Sequence, residues 1–300
     1  RCLTRLLCVS ALLMSVAFAE SLSETRKMAE QGNAFAQFNL GLMYYNGEGV
    51  LKDPTEAVKW YRKSADPHPL LIHPPSDPTE AVRWYHKSAE QGFAPAQLKL
   101  GGMYDRGDGV PKDSTEAVKW YRKSAEQGNA DAQCKLGFMY VNGNDVPKDP
   151  TEAVKWYRKS AEQGNAVAQL YLGSMYATGD GVPKDLTEAG KWWRKSAEQG
   201  DADGQRKLGV MYANGDGVPK DPTEAVKWYR KSAEQGHAIA QLGLGWMYEK
   251  GDGVPKDLVL AHVWYNIAGA NGIELAKEFL VRIEKGMSSE QKAEATTRAR

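Results

Sequence analysis

The sequence predicts an all-α fold, a tandem array of helical repeats about 36 residues long. Three observations lead there. Glycine recurs at 92, 128, 164, 200, 236 and 272, each 36 residues apart. Tryptophan keeps the same period at 120, 156, 192, 228 and 264. Each unit between successive glycines divides into two stretches with helix-start and helix-stop signals at their ends.

The N-terminus is distinct from the array. Arg1 and Arg5 flank an apolar run from Leu6 to Phe18, and Ala17-Phe18-Ala19 places small residues where signal peptidase requires them. Residues 1–19 are expected to be a secretory signal cut between Ala19 and Glu20. The run is too short to span a bilayer, and nothing later is more apolar. A lipoprotein reading of Cys8 meets Leu7, which is not small, and a position too early in the chain. The chain does not open with Met, which leads to the expectation of a truncated or alternative start. Cleavage would leave Cys134 as the one cysteine, so no internal disulfide is expected.

Residues 20–32 read as an N-terminal half repeat, with Ser21-Leu22-Ser23-Glu24 opening a helix that runs to Gln31. The array occupies 33–272. In the unit 129–163, helix A is expected over about Ala130–Val141, followed by a loop, Asn142 to Lys148. Helix B then begins at Asp149-Pro150-Thr151-Glu152: an N-cap Asp, a Pro suited to the first turn, and a Glu placed to complete a capping box. The signature returns at Asp53/Glu56, Asp77/Glu80, Asp113/Glu116, Asp185/Glu188 and Asp221/Glu224; after Asp257 the Glu is replaced by Leu260. Gly164 supplies the left-handed residue that ends helix B. Residues 273–300 read as capping helices, one over about 273–285 and a short one opened by Ser288-Ser289-Glu290-Gln291.

One stretch breaks the pattern. Gly32 and Gly92 are 60 residues apart, twelve short of two repeats. Residues 66–76, with prolines at 67, 69, 74 and 75, replace a helix A and its loop. A deletion or local frame slip accounts for this, and a Pro-rich docking segment is the alternative. Either predicts a local break in the array.

The repeated phrases are Ala-x-x-x-Leu-Gly-x-Met-Tyr (Ala132 to Tyr140), Gly-x-Gly-Val (Gly107 to Val110) and Glu-Ala-x-x-Trp-Tyr-x-x-Ser-Ala-x-x-Gly (Glu116 to Gly128). On these the chain resembles the Sel1-like repeat, a relative of the tetratricopeptide repeat, over nearly all of 33–272. The resemblance implies a right-handed superhelical solenoid of antiparallel helix pairs, with helix A lining the concave side.

Positions in helix A are numbered from the residue after the glycine. Among the six full units, Ala at position 2, Gln at 5, Leu at 8, Gly at 9, Met at 11 and Tyr at 12 barely change. Positions 3, 6, 7, 10, 13 and 14 vary. At about 100° per residue the variable positions fall within an arc of about 120°. Constant positions are those that meet neighbouring helices in the same way each time. The variable stripe is therefore the candidate partner-binding surface: Phe35, Phe38, Leu42 and Tyr45; Lys99 and Arg106; Lys135 and Phe138; Tyr171 and Ser174; Arg206 and Lys207; Trp246 and Lys250. Phe138, Tyr171 and Trp246 would be exposed aromatics of the kind that anchor partners. Drift on a solvated face is the plain alternative. Position 6, including Cys134, is expected to be half-buried.

Chemistry beyond binding finds little support. With 39 basic and 38 acidic side chains, nucleic acid is not an expected partner. The periodic tryptophans read as core between helices A and B rather than as a sugar platform. Gly-x-Gly at 107/109, 179/181, 215/217 and 251/253 follows a helix, lacks a third glycine, and reads as a turn. The loop aspartates show no EF-hand spacing, and the histidines at 68, 73, 86, 237 and 262 no metal-ligand spacing. Some cysteine-rich Sel1-like proteins are described as penicillin-binding or β-lactamase-like. This chain lacks their paired cysteines, and its one Ser-x-x-Lys, Ser289 to Lys292, has no companion motif. No catalytic residue, metal or cofactor is expected. The leading reading is a periplasmic or secreted, monomeric scaffold without a membrane span that holds a protein or peptide. A glycan or cell-wall binder and a cell-wall-directed hydrolase are the rivals.

Two substitutions mark a weak region. Gly190 replaces the usual Val of helix B, and Gly204 the Ala of helix A. Each costs helix stability on the order of 0.5–1 kcal/mol. Repeats couple chiefly to their neighbours, so amide exchange is expected to lose protection over 185–213 before the flanking repeats. Uniform protection along the array would contradict this.

Overall fold

The computed structural model describes residues 22–53, 56, 59, 60, 63, 78–90, 92–143 and 146–298. The expected signal, the Pro-rich stretch 66–76 and the break predicted there lie outside the described residues. The chain forms two compact units, 1–127 and 128–300.

The first unit contains helices at 22–30, Ala34–Asn46, Pro78–Glu90, Ala94–Arg106 and Ser114–Glu126. One buried cluster gathers Ala29, Ala36, Leu40 and Trp60; another gathers Val82, Tyr85, Leu100, Met103 and Trp120.

The second unit alternates A helices (Ala130–Asn142, Ala166–Thr178, Ala202–Asn214, Ala238–Lys250) with B helices (Pro150–Glu162, Leu186–Glu198, Pro222–Glu234, Leu258–Ala270). All eight are 13 residues long. Helices Glu274–Glu284 and Ser289–Arg298 close the end, burying Ala276, Ile283, Met287 and Ala295 in the core of the last repeats. These spans follow the helix expectations to within about a residue.

The glycines end helices as expected: Gly164, Gly200 and Gly236 stand at φ of 95°, 96° and 88°. The capping box forms only in part. Asp149 accepts from the Glu152 amide at 3.0 Å, and Asp257 caps Leu260 in the same way at 2.9 Å. The reciprocal bond from Glu is not made. The Asp149 amide already donates to the Tyr140 carbonyl at 3.0 Å, so Glu152 turns outward and pairs with Lys155 at 2.9 Å. Asp185/Glu188 and Asp221/Glu224 repeat the arrangement.

Position 9 of helix A sets how closely the paired helices approach. A Cβ at Gly137 would stand 2.7 Å from the Tyr157 ring, at Gly173 2.6 Å from Trp193, at Gly209 2.7 Å from Tyr229 and at Gly245 2.6 Å from Tyr265. Each helix B thus presses an aromatic ring against helix A backbone, an approach that only glycine permits. The constant glutamine at position 5 ties three helices. Gln169 donates to the Ala161 carbonyl of the preceding helix B at 3.0 Å and accepts from Gln199, just past the end of the following one, at 2.8 Å. Gln241 does the same with Ala233 and Asn271. The periodic Trp156, Trp192 and Trp228 are buried, each roofed by the ammonium of the lysine three residues on.

The second glycine of Gly-x-Gly joins consecutive repeats. Cβ atoms at Gly181 and Gly253 would stand 2.3 and 2.2 Å from the Pro150 and Pro222 carbonyl oxygens of the preceding repeat. At the suspected weak region, a cleft of about 420 Å³ opens beside Gly190, lined also by Trp192, Leu208 and Val218. Among the described residues, buried Ser196 has no hydrogen-bond partner, whereas Ser160 and Ser232 donate to the Ala130 and Ala202 carbonyls at 2.7 Å.

Gly173→Ala separates packing from propensity. Helix propensity alone predicts a gain of about 1 kcal/mol. The Trp193 ring predicts a net loss of about 1–3 kcal/mol from overpacking. Urea denaturation decides: the midpoint should fall, and a rise would show that the ring yields.

Candidate binding surface

The variable positions of helix A are where the second unit shows its large aromatic side chains. Phe138, Tyr171 and Trp246 are 43%, 38% and 39% exposed, on helices that bury Leu136, Leu172 and Leu244 at position 8. Phe138 and Trp246 share position 10, while Tyr171 stands at position 7. Phe138 and Tyr171, from consecutive A helices, meet edge to face at 6.3 Å, and Tyr171 stacks on buried Tyr157 at 5.4 Å. The two exposed rings are therefore held rigidly, with little side-chain entropy left to lose when something docks.

The remaining stripe residues take different places. Lys135 and Lys250 are exposed, the latter 3.6 Å from Glu249. Ser174 is half-buried, its hydroxyl donating back to the Leu170 carbonyl at 2.9 Å. Arg206 and Lys207 are half-buried. Lys207 lies 5.0 Å over the Trp193 ring, and burial beside the Arg206 guanidinium holds its ammonium below the usual lysine range. In the first unit, Lys99 and Arg106 are exposed, with Arg106 paired to Asp108 at 2.6 Å. The side chains of Phe35, Phe38, Leu42 and Tyr45 lie outside the described residues. Cys134 is half-buried, and burial raises its thiol to about 11, which leaves it a weak nucleophile.

On the A helices of the second unit two exposed apolar residues were not singled out by the sequence: Val167 and Ile239, 48% and 50% exposed. Both occupy position 3, already among the variable positions, so the signal was present. In other repeats that position carries an acid held by the N-cap of the next helix A: Asp131 accepts from Asn165 at 2.9 Å, and Asp203 lies 3.1 Å from His237. Three of the four B helices of the second unit carry the same exposed ion pair, Glu152–Lys155, Glu188–Lys191 and Glu224–Lys227, and Leu258–Ala270 does not.

The closing helices anchor onto position 13 of the last helix A. Glu249 accepts from the Tyr265 hydroxyl at 2.8 Å and pairs with Arg282 at 2.5 Å. Burial pushes the Glu249 carboxyl up, but these two partners outweigh it and hold it below the usual glutamate range. Ser289 is exposed on the terminal helix. Among the described residues no cluster of His, Cys, Asp or Glu could hold a metal ion, and no helix is long and apolar enough to cross a membrane.

The Sel1 repeat profile matches the chain at residues 34–66, 72–93, 94–129, 130–165, 166–201, 202–237 and 238–273, leaving 67–71 unmatched between two repeats. Among solved structures, a Sel1 repeat protein from Oxalobacter formigenes is 33% identical, with a TM-score of 0.70 over 90% of this chain and 81% of its own. A protective antigen present in uropathogenic Escherichia coli strains, displaying an SLR fold, is 34% identical, with a TM-score of 0.61 over 94% of this chain and 71% of its own. No curated protein sequence matches the chain.

Glu249 gives the surface a pH-dependent edge. A carboxylate whose folded pKa is depressed adds stability above its unfolded pKa and loses it as pH falls through the folded value. Glu249→Gln should therefore unfold earlier than wild type in thermal melts at pH 7, with the gap closing as pH falls below the glutamate range. A gap independent of pH would show that shape, not charge, holds the closing helices.

Proposed function

We propose that this chain, which belongs to the Sel1 repeat family, is a non-catalytic, monomeric scaffold that holds a peptide or protein on the helix A stripe. The observation that carries this reading is the split between constant and variable positions. On the A helices of the second unit the leucines at position 8 and the methionines at position 11, which repeat, are buried, and the exposed large aromatics Phe138, Tyr171 and Trp246 stand where the repeats differ. Rigid, half-exposed aromatic rings supply contact area at low entropic cost and are typical anchors of protein interfaces. We further propose that the protein works in the periplasm or outside the cell, on the strength of the signal-like residues 1–19.

The same aromatics favour a second reading, since exposed indole and phenol rings also stack on sugars. A glycan or cell-wall ligand would then occupy the same stripe. A hydrolytic role has no comparable support, because Ser289 and Lys292 stand without an assembled set of catalytic partners.

The double variant Phe138→Ala/Trp246→Ala should lose capture of its protein partner from periplasmic extract by at least about tenfold while its far-UV circular dichroism stays unchanged. Capture equal to wild type would remove the stripe as the binding surface. Retention of wild type on insoluble peptidoglycan, lost in the variant, would support the sugar reading instead.

A further inference from the structure

Helix Leu186–Glu198 departs from the B helices on either side of it at two buried positions. Pro150–Glu162 and Pro222–Glu234 bury Val154 and Val226 where this helix has Gly190, and Tyr157 and Tyr229 where it has Trp193. The two changes point in different directions. Gly190 faces the following repeat, where a Cβ would meet the Met211 methyl at 2.9 Å and Val218 at 4.0 Å. Trp193 faces the helix A of its own repeat, pressed on Gly173 and donating its indole N–H to the Leu170 carbonyl at 3.2 Å. A lost side chain leaves open space only where the surroundings do not collapse into it. Here Trp193 holds the helix from its other side, and the Met211 methyl takes up only part of the room. What remains is the cleft of about 420 Å³, within the size range of small-molecule sites.

The cleft has an apolar floor and a charged rim. Trp192, Leu208 and Val218 meet beside the bare Gly190 backbone. On the rim, Glu188 and Lys191 satisfy each other at 2.8 Å. Lys195 is exposed, its ammonium 4.2 Å over the Trp192 ring, and it has no carboxylate partner among the described residues. Arg194 donates to the Tyr212 hydroxyl, a neutral group. Glu198 is the one lining acid left to set against these two cations, so positive charge is in surplus. No residue of the helix A stripe lines the cleft apart from this set.

An apolar floor under a rim with surplus positive charge suits an amphiphile. Its apolar body would leave water for Trp192, Leu208 and Val218, and its anionic group would sit at the edge beside Lys195 and Arg194. We infer that the Gly190 cleft is a binding site for a small organic anion with an aromatic or compact aliphatic body. A neutral apolar molecule would forgo the rim, and an inorganic anion the floor. The site lies on a different element from the helix A stripe and does not depend on the peptide-scaffold reading.

The probe that tests this is anilinonaphthalene sulfonate, an aromatic anion whose fluorescence rises when it leaves water, titrated into the folded full chain. Wild type should show one saturable site. G190V restores the side chain found in the neighbouring repeats and should weaken binding by at least about tenfold, with far- and near-UV circular dichroism retained. K195Q leaves the floor untouched and should weaken binding by about threefold. The uncharged probe N-phenylnaphthylamine should bind wild type at least about threefold more weakly than the anion and should not respond to K195Q. The stripe variant F138A/W246A should bind the anion as wild type does. If G190V disturbs the Met211 packing and loses its near-UV signal, K195Q and the uncharged probe still decide. Absence of a saturable site, binding that survives in a folded G190V, binding lost in F138A/W246A, or an uncharged probe that binds as tightly as the anion would each overturn the inference.

Discussion

An aromatic ring pressed on a glycine organises this protein. In each repeat of the second unit the ring that follows the periodic tryptophan on helix B lies against helix A backbone at position 9, so close that one added carbon would stand 2.6–2.7 Å from it. That contact fixes the separation of the two helices. The other constant residues depend on this spacing. The glutamine at position 5, such as Gln169, can reach carbonyl and amide groups on both flanking B helices only if helix A sits at the same depth each time. The loop glycines then bring the next repeat against the previous helix B, as at Gly253 and Pro222. Stability in such an array is a sum over repeats and their interfaces, so the same residues must recur wherever the same contacts do.

This division of labour leaves one part of each repeat free to differ. The B helices present regularly spaced glutamate–lysine pairs, which are exposed and contribute little stability each. Helix A keeps half its circumference for packing and turns the rest outward. On that strip the chain places phenylalanine, tyrosine, tryptophan, arginine and lysine without period. The position 7 series shows the consequence: the same geometric slot holds a stacking tyrosine, a lysine on an indole, and Gly243, whose backbone lies against the Tyr229 ring. Changing one side chain at this slot alters local shape and charge without disturbing the frame.

Much of the frame was legible in the sequence because each signal is local. Asp149 and Pro150 start a helix, and Gly164 ends it, by rules that involve only a few neighbours. Buried Leu136 and exposed Phe138 follow from helical periodicity alone. What the sequence did not disclose depends on contacts between elements. Glu152 looked like half of a capping box, yet the amide it would have served donates to the Tyr140 carbonyl, which closes the preceding loop. Gly137 was visibly constant, but its cause, the Tyr157 ring, lies about twenty residues away. The link from Glu249 to Arg282 joins the array to a tail that is not a repeat, so no period could reveal it. On the candidate surface, exposure at position 10 was legible, whereas the back-bonded Ser174 hydroxyl was not.

The central claim is that recognition belongs to the part of helix A that does not repeat. Hydroxyl-radical footprinting of the chain with and without a bound partner tests this directly, because the side chains in question are reactive aromatics. The account predicts that Phe138, Tyr171 and Trp246 become protected while the outer Lys155, Lys191 and Lys227 react as they do in the free chain. Protection along those outer lysines, with the three aromatics unchanged, would contradict it.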